Sequence, residues 1–223
     1  PRGSRGQGGL GVTQELVDAF FMSNGLPAIT GYEPNGEPII NKASGYNESG
    51  FSTQPDVRKT KWIEGDKDAK ESNTENTIAP AGTFNMYVNR EPRFYVSVIY
   101  NNAWLGVANR NVNFLQGGLD TDMTFDSPQN GYNVRKRISL DVSPIDKKYT
   151  YQPGILYRMA DAYLGYAEAL NEYLPSPNDD VYKYVNLIRE RAGIPALKEG
   201  LNKEEMRAAI QQERRVEFNC EGV

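Results

Sequence analysis

Three places in this sequence carry side chains that could do chemistry. Asp120, Asp122 and Asp126 stand in the glycine-flanked stretch QGGLDTDMTFDSPQ, and their oxygens suit calcium. The spacing lacks the further carboxylate that an EF-hand loop places at about its twelfth position, so the simpler reading is solvated loop acids. Glu91-Pro92-Arg93 is a second charged group, with Arg93 expected to pair with a carboxylate where a strand enters the core. Glu213, Arg214, Arg215 and Glu217 form a third, at spacings that favour charge pairs along one helix. The single cysteine, Cys220, excludes an internal disulfide; it falls at helical spacing after Val216 and reads as a buried thiol.

The chain has no histidine. That removes Ser-His-Asp and Cys-His nucleophilic catalysis, histidine-ligated zinc and the usual proton shuttle near neutral pH. A glycosidase needs two carboxylates facing each other across a sugar, one with a raised pKa, and no recognisable signature points to such a pair. No cofactor is expected.

The elements that must position these groups are clearest near the end of the chain. Gly154–Tyr173 is the longest helical pattern, with Leu156, Met159, Tyr163, Tyr166, Leu170 and Tyr173 at three- and four-residue steps and a second, small-residue set at Ala160, Ala162, Gly165 and Ala169. Such a helix expects neighbours on more than one side. Ser176 and Pro177 read as the cap and first position of a second helix ending near Ala192, with Val181, Val185, Ile188 and Ala192 inward and Gly193 as its C-cap. Asn202 with Glu205 makes a capping box for a third helix, about Lys203 to Phe218. The first two helices resemble one tetratricopeptide-type hairpin; no second copy recurs at that period, so no repeat array is expected.

Upstream, Thr13 opens a short helix with Leu16, Val17 and Phe20 inward and Gly25 closing it. Residues 26–83 are rich in proline, glycine and asparagine and read as loop. Phe94–Tyr100 and Gly131–Ile138 read as strands, with a turn over Asn101–Gly106. The fold class is mainly α with long loops and short β-hairpins (α+β): residues 1–150 form the loop- and hairpin-rich portion, residues 151–223 the helical one.

Lys and Arg number 25 against 29 Asp and Glu, a net charge of −4 with the signs interspersed. No basic patch announces nucleic acid, and no polybasic arm announces an anionic membrane surface. Fourteen tyrosines among abundant asparagine and glycine resemble the surfaces of secreted or cell-surface carbohydrate binders. The chain opens without Met in a Gly/Arg-rich run and stops just after a helix, so a piece of a longer protein is expected.

Six stretches in order carry a resemblance: Thr13–Phe20 (TQELVDAF), Arg90–Tyr95 (REPRFY), Gly131–Lys136 (GYNVRK), Leu156–Glu172 (LYRMADAYLGYAEALNE), Val185–Pro195 (VNLIRERAGIP) and Glu213–Gly222 (ERRVEFNCEG). Together they resemble the SusD/RagB family of outer-membrane glycan-binding lipoproteins. The resemblance implies the C-terminal part of a protein roughly twice as long, lacking the N-terminal half and the last segment. It implies a non-catalytic role: capture of an oligosaccharide or polysaccharide and delivery to a SusC-like TonB-dependent transporter. It also implies a place at the cell surface, on the outer membrane, through a lipid anchor outside this chain.

Sugars present flat C–H faces and a hydroxyl rim, which aromatic rings and amides match. On that implication the candidate glycan contacts are Trp104, with Tyr100, Asn101 and Asn102 beside it, then Trp62, and after it Tyr46 and Tyr32. Trp104 has a second reading, as a plug of the hairpin end against the core, and Trp62 could be a partner contact or a loop anchor. The rival for the whole chain is a protein-interaction scaffold or transporter lid whose tyrosines meet protein. A glycosidase ranks below both.

Overall fold

The computed structural model describes residues 10–59, 75–105, 110–121, 128, 130–136, 147–151 and 154–222. The chain divides into two compact units, one formed by residues 14–46, 90–94 and 153–223, the other by residues 1–13, 47–89 and 95–152.

The first unit is helical. Its short helix α1, Gln14–Ala19, is followed by the hairpin of β1 (Ile29–Tyr32) and β2 (Pro38–Ile40). That hairpin lies in the region read as loop. Pro34-Asn35-Gly36 turns it, with Gly36 in the left-handed region at φ 86°. The helix stops at Ala19, well before Gly25. The Phe21 N–H leaves the helical pattern to donate to the Glu91 carboxylate at 3.0 Å, and Phe20 turns inward onto Phe94, edge to face at 5.6 Å.

Three longer helices complete this unit. They are α3 (Met159–Tyr173), α4 (Asp179–Ala192) and α5 (Lys203–Glu217), and α3 packs on both others. Helix α4 buries Val181, Val185, Ile188 and Ala192, as their spacing requires, and ends on Gly193 in the left-handed conformation. Its cap is Asn178, whose side chain accepts from the Val181 N–H, and not Ser176. Helix α5 begins with the Asn202–Glu205 capping box.

Helix α3 differs from the sequence reading in start and face. It begins at Met159 because Arg158 is extended, φ −144°, with its guanidinium held by Glu217 and Glu221 beyond. The buried face is Ala160, Leu164, Ala167 and Asn171, meeting Val185, Ile188, Met206 and Ile210. The set expected inside is largely outside: Leu156 is 96% exposed, and Met159, Tyr166 and Tyr173 are exposed. The two helices α4 and α5 close on a face that mixes small and larger side chains and is turned away from that set.

An ion cluster lies at the base of this unit. Arg93 reaches Glu91 at 2.6 Å, Glu213 at 2.6 Å and Glu217 at 3.0 Å. Glu213 also takes Arg189 at 3.1 Å, while Arg189 donates to the carbonyls of Pro195 and Gly25, each at 2.8 Å. Glu217 further pairs with Arg158 and Arg191. The four charges Glu213, Arg214, Arg215 and Glu217 therefore bind partners on other segments: Arg214 meets Glu168, and Arg215 meets Glu15 at 2.8 Å. Burial pulls the Arg93 guanidinium down, but Glu91 and Glu213 outweigh it and keep it charged. Burial pushes the Glu91 carboxyl up, against the Arg93 charge and the Phe21 N–H. Burial also works to raise Glu217, yet hydrogen bonds from Arg191 and Arg158 outweigh it and hold that carboxyl below its usual range.

The second unit is built from short antiparallel pairs. Strand β3 (Asp56–Lys59) pairs with β4 (Glu75–Ala79), β5 (Val98–Ile99) with β8 (Asn133–Val134), and β6 (Trp104–Leu105) with β7 (Arg110–Asn111). The stretch read as a strand from Phe94 is instead helix α2, Pro92–Ser97, before it extends into β5. Proline favours the first helical turn, where its missing N–H costs nothing. The expected strand Gly131–Ile138 shrinks to β8, and its last two residues lie outside the described ones. The core here is aromatic. Tyr87 packs against Tyr100, ring centroids 4.8 Å apart, and against Tyr132 and Phe84. The Tyr87 hydroxyl donates to the Tyr132 oxygen at 3.0 Å, and the Tyr95 hydroxyl to the Tyr87 carbonyl at 2.8 Å.

Arg93→Leu should cost about 3–5 kcal/mol in urea unfolding, because it strips buried carboxylates of their shared counter-charge. Arg93→Lys should recover little, since one ammonium cannot fork to three acids; an unchanged midpoint in either variant would sink the assignment. The depressed Glu217 carboxyl supplies stability that is complete above the ordinary glutamate range. It is lost as pH falls through that range to the folded-state value beneath it. Glu91, raised, contributes in the opposite sense. Comparing melting temperature against pH for wild type and Glu217→Gln therefore isolates Glu217, and the variant should show the flatter acid limb.

Candidate functional site

The second unit holds the residues that sequence reading placed around Trp104. The chain leaves buried Tyr100, turns through Asn101 and Asn102, and enters β6 at Trp104, opposite Asn111. The turn is tighter than expected and ends before the tryptophan. Asn102 is left-handed, φ 73°. Its amide donates to the Thr83 hydroxyl at 3.0 Å and the Ala81 carbonyl at 3.3 Å, and its oxygen accepts from Asn111 at 3.1 Å. The Asn101 oxygen accepts from the Phe114 N–H at 2.8 Å. Both asparagines therefore hold the hairpin in place.

Trp104 is 44% exposed. That exposure leaves part of the residue to solvent, unlike the enclosed tyrosines nearby. Tyr100 is 1% exposed, enclosed by Tyr87 and Tyr95, and has no ring face to offer a ligand. Tyr46 belongs to the helical unit and is buried beneath the Arg90 guanidinium, 5.3 Å from its ring. Tyr32, in the same unit, is partly exposed and donates to Asp18 at 2.9 Å; burial and that acid push its phenol up to about 12. Trp62 lies outside the described residues.

Of the three loop acids, Asp120 lies among the described residues, and it is not the solvated acid the sequence suggested. Asp120 is buried and takes both Arg110 nitrogens, at 2.6 and 2.7 Å, and the Asn113 N–H at 2.8 Å. Burial works to raise its pKa, but the Arg110 hydrogen bonds and the Asn113 N–H outweigh it and hold the carboxyl below its usual range. Asp122 and Asp126 lie outside the described residues. Among the described residues no group of three or more His, Cys, Asp or Glu side chains is placed to hold a metal ion. Cys220 is exposed, in a left-handed turn after α5, and is not the buried thiol that helical spacing suggested.

Sequence reasoning missed Phe51, 57% exposed and packed edge to face on Phe84 at 5.4 Å, in the same unit as Trp104. It also missed the Arg110–Asp120 pair. Phe51 carried no signal beyond being aromatic in a loop, whereas the pair sits ten residues apart across a turn of glycines.

Comparison with known proteins places the chain. The SusD family model matches residues 1–223, and the chain belongs to that family. Two solved structures share the fold. A SusD-like protein from Bacteroides fragilis NCTC 9343 matches with a TM-score of 0.61 and 30% identity, over 96% of this chain and 34% of that one. A SusD-like carbohydrate binding protein from the same organism matches with a TM-score of 0.57 and 18% identity, over 93% and 33%. The chain thus spans about a third of the length of these relatives, less than the half that the resemblance implied. Among curated proteins no match was found. No helix of the described residues is long and apolar enough to cross a membrane.

The Asn102 turn can be tested directly. Asn102→Gly keeps the left-handed backbone and loses three side-chain hydrogen bonds; Asn102→Ala loses both. Alanine should be the worse by about 1 kcal/mol in denaturant unfolding. Equal effects would mean that backbone conformation contributes nothing here.

Proposed function

We propose that this chain is part of a non-catalytic, cell-surface glycan-binding protein, and that Trp104 is its sugar platform within these residues. The observation that carries the reading is the partly exposed Trp104 on a hairpin whose base is fixed by Asn101, Asn102 and Asn111. A ring held this way loses little freedom on meeting a ligand, and its apolar face suits the C–H face of a pyranose. Family membership supports the same reading, as does the carbohydrate-binding description of one structural relative. On this reading the full-length protein is lipid-anchored at the outer membrane and passes oligosaccharide to a SusC-like TonB-dependent transporter.

A second reading, a scaffold or transporter lid, draws on a separate observation in the helical unit. Ile155, Leu156 and Tyr157 ahead of α3 and Met159 at its start are exposed, an apolar run suited to a protein contact. The two roles are compatible in one protein.

In a glycan-panel screen with the full-length protein, Trp104→Ala should weaken binding by about 1–3 kcal/mol, on the order of ten- to a hundredfold in Kd. Trp104→Phe should lose less. Binding indifferent to both variants would remove the site from Trp104, and release of reducing ends from a bound glycan would overturn the non-catalytic reading.

A further inference from the structure

We infer that Asn35, at the tip of the β1–β2 hairpin, is a site of spontaneous covalent modification, where the side-chain amide is lost to give aspartate or isoaspartate. Asparagine is most labile before glycine, which puts no side chain in the way of attack by the following backbone nitrogen. The sequence has three such steps, Asn24-Gly25, Asn35-Gly36 and Asn130-Gly131. The fold separates them.

In the reaction the Gly36 nitrogen gives its proton to hydroxide and bonds to Cγ of Asn35. The Cγ–Nδ2 bond breaks and ammonia leaves, which closes a five-membered imide. Water then opens the ring. Cleavage at Cγ gives aspartate; cleavage at the main-chain carbonyl gives isoaspartate, with an extra methylene in the backbone. One water is consumed and one ammonia released. Two hydrogen bonds must open first: the Gly36 N–H donates to the Glu33 carbonyl at 2.8 Å, and the Glu37 N–H to the Asn35 side-chain oxygen at 3.1 Å. Both are cheap to break. Residues 32–37 are all exposed, and the strands behind them are four and three residues long. Pro38, opposite Tyr32, has no N–H for the ladder.

The other two asparagines are tied to distant segments. Asn24 donates to the Ser44 carbonyl at 3.2 Å and accepts from the Leu26 N–H at 3.1 Å. Its Gly25 is buried, with the N–H on the Met22 carbonyl at 2.9 Å and its own carbonyl on Arg189 at 2.8 Å. Asn130 donates to the Val12 carbonyl at 2.6 Å and accepts from the Tyr132 N–H at 3.3 Å. Its carboxamide also fills the space beside Gly11, where a Cβ would stand 2.9 Å from the oxygen. Turning either carboxamide toward the next nitrogen breaks these contacts. At Asn35 the product has a further consequence: the new carboxylate stands between Glu33 and Glu37, and like charges so close disfavour the turn.

The test is to age the full-length protein at mildly alkaline pH and map its peptides by mass spectrometry, with an isoaspartate-specific methyl transfer to mark the rearranged product. Asn35 should be modified on the order of tenfold more than Asn24 or Asn130, at a rate that rises with pH. In urea the three sites should react alike. Asn35→Ser should abolish the main product. Modification at Asn24 or Asn130 that matches or exceeds Asn35, or none at Asn35, would overturn the inference. So would a preference for Asn35 that persists undiminished in urea, since it would then owe nothing to the fold. The mapping of the unaltered protein decides without any variant.

Discussion

The helical unit depends on one arginine. Arg93 joins a carboxylate two residues before it to two carboxylates of α5, and Glu213 extends the link to Arg189 of α4. Desolvating these ions costs several kcal/mol each, and only complete pairing offsets it. Arg189 shows how the pairing is completed: beyond Glu213 it satisfies two backbone carbonyls and rests over Phe21, 4.9 Å from the ring. Gly25, whose carbonyl it takes, has no room for a side chain, since a Cβ there would stand 2.7 Å from the same guanidinium. An apolar cluster of the same volume could be as stable, but it would accept α5 in several registers. Charges with fixed partners accept one.

The other unit meets the same need for register with different chemistry. Its strands are two to five residues long, too short to fix themselves by ladder hydrogen bonds. Tyrosine supplies the missing specification. Each buried ring contributes area, and the hydroxyls of Tyr87 and Tyr95 must find acceptors, so the rings can pack in few ways. Fourteen tyrosines in the composition are thus partly a core and not only a surface.

What the sequence made legible follows from how local the physics is. The inward face of α4, the Gly193 stop and the Asn202–Glu205 box depend on residues within one turn or two of each other, and all three are found where the pattern puts them. Helix α3 misled because periodicity shows that a face exists without saying which side is covered; the covered one is Ala160, Leu164, Ala167 and Asn171. Pro34-Asn35-Gly36 was a readable turn signal, yet the β1–β2 strands beside it are four and three residues long and half-exposed, with weak alternation. The ion cluster was the least legible part. Arg93 and Glu213 are 120 residues apart, and nothing in either neighbourhood names the other. At the candidate site, Trp104 was chosen for its ring, but the burial of Tyr100 four residues earlier is set by Tyr87 and Tyr95, which only the fold brings together.

The same division sets how a chain that is a quarter charged uses its charges. The helical unit uses its arginines and acids as internal cross-links, where opposite charges in a low dielectric hold distant segments to one arrangement. In the tyrosine-rich unit hydroxyls and amides share that work with charged groups: Asp56 takes Arg58, the Asn89 N–H at 2.9 Å and the Tyr95 hydroxyl at 3.4 Å. The Trp104 hairpin contributes Arg110, locked through both terminal nitrogens to Asp120. If the exposed part of Trp104 meets a ligand made of hydroxyls and C–H faces, as proposed above, each neutral polar contact is one that water could also supply, and the net preference for the protein would come from the apolar face set on the ring.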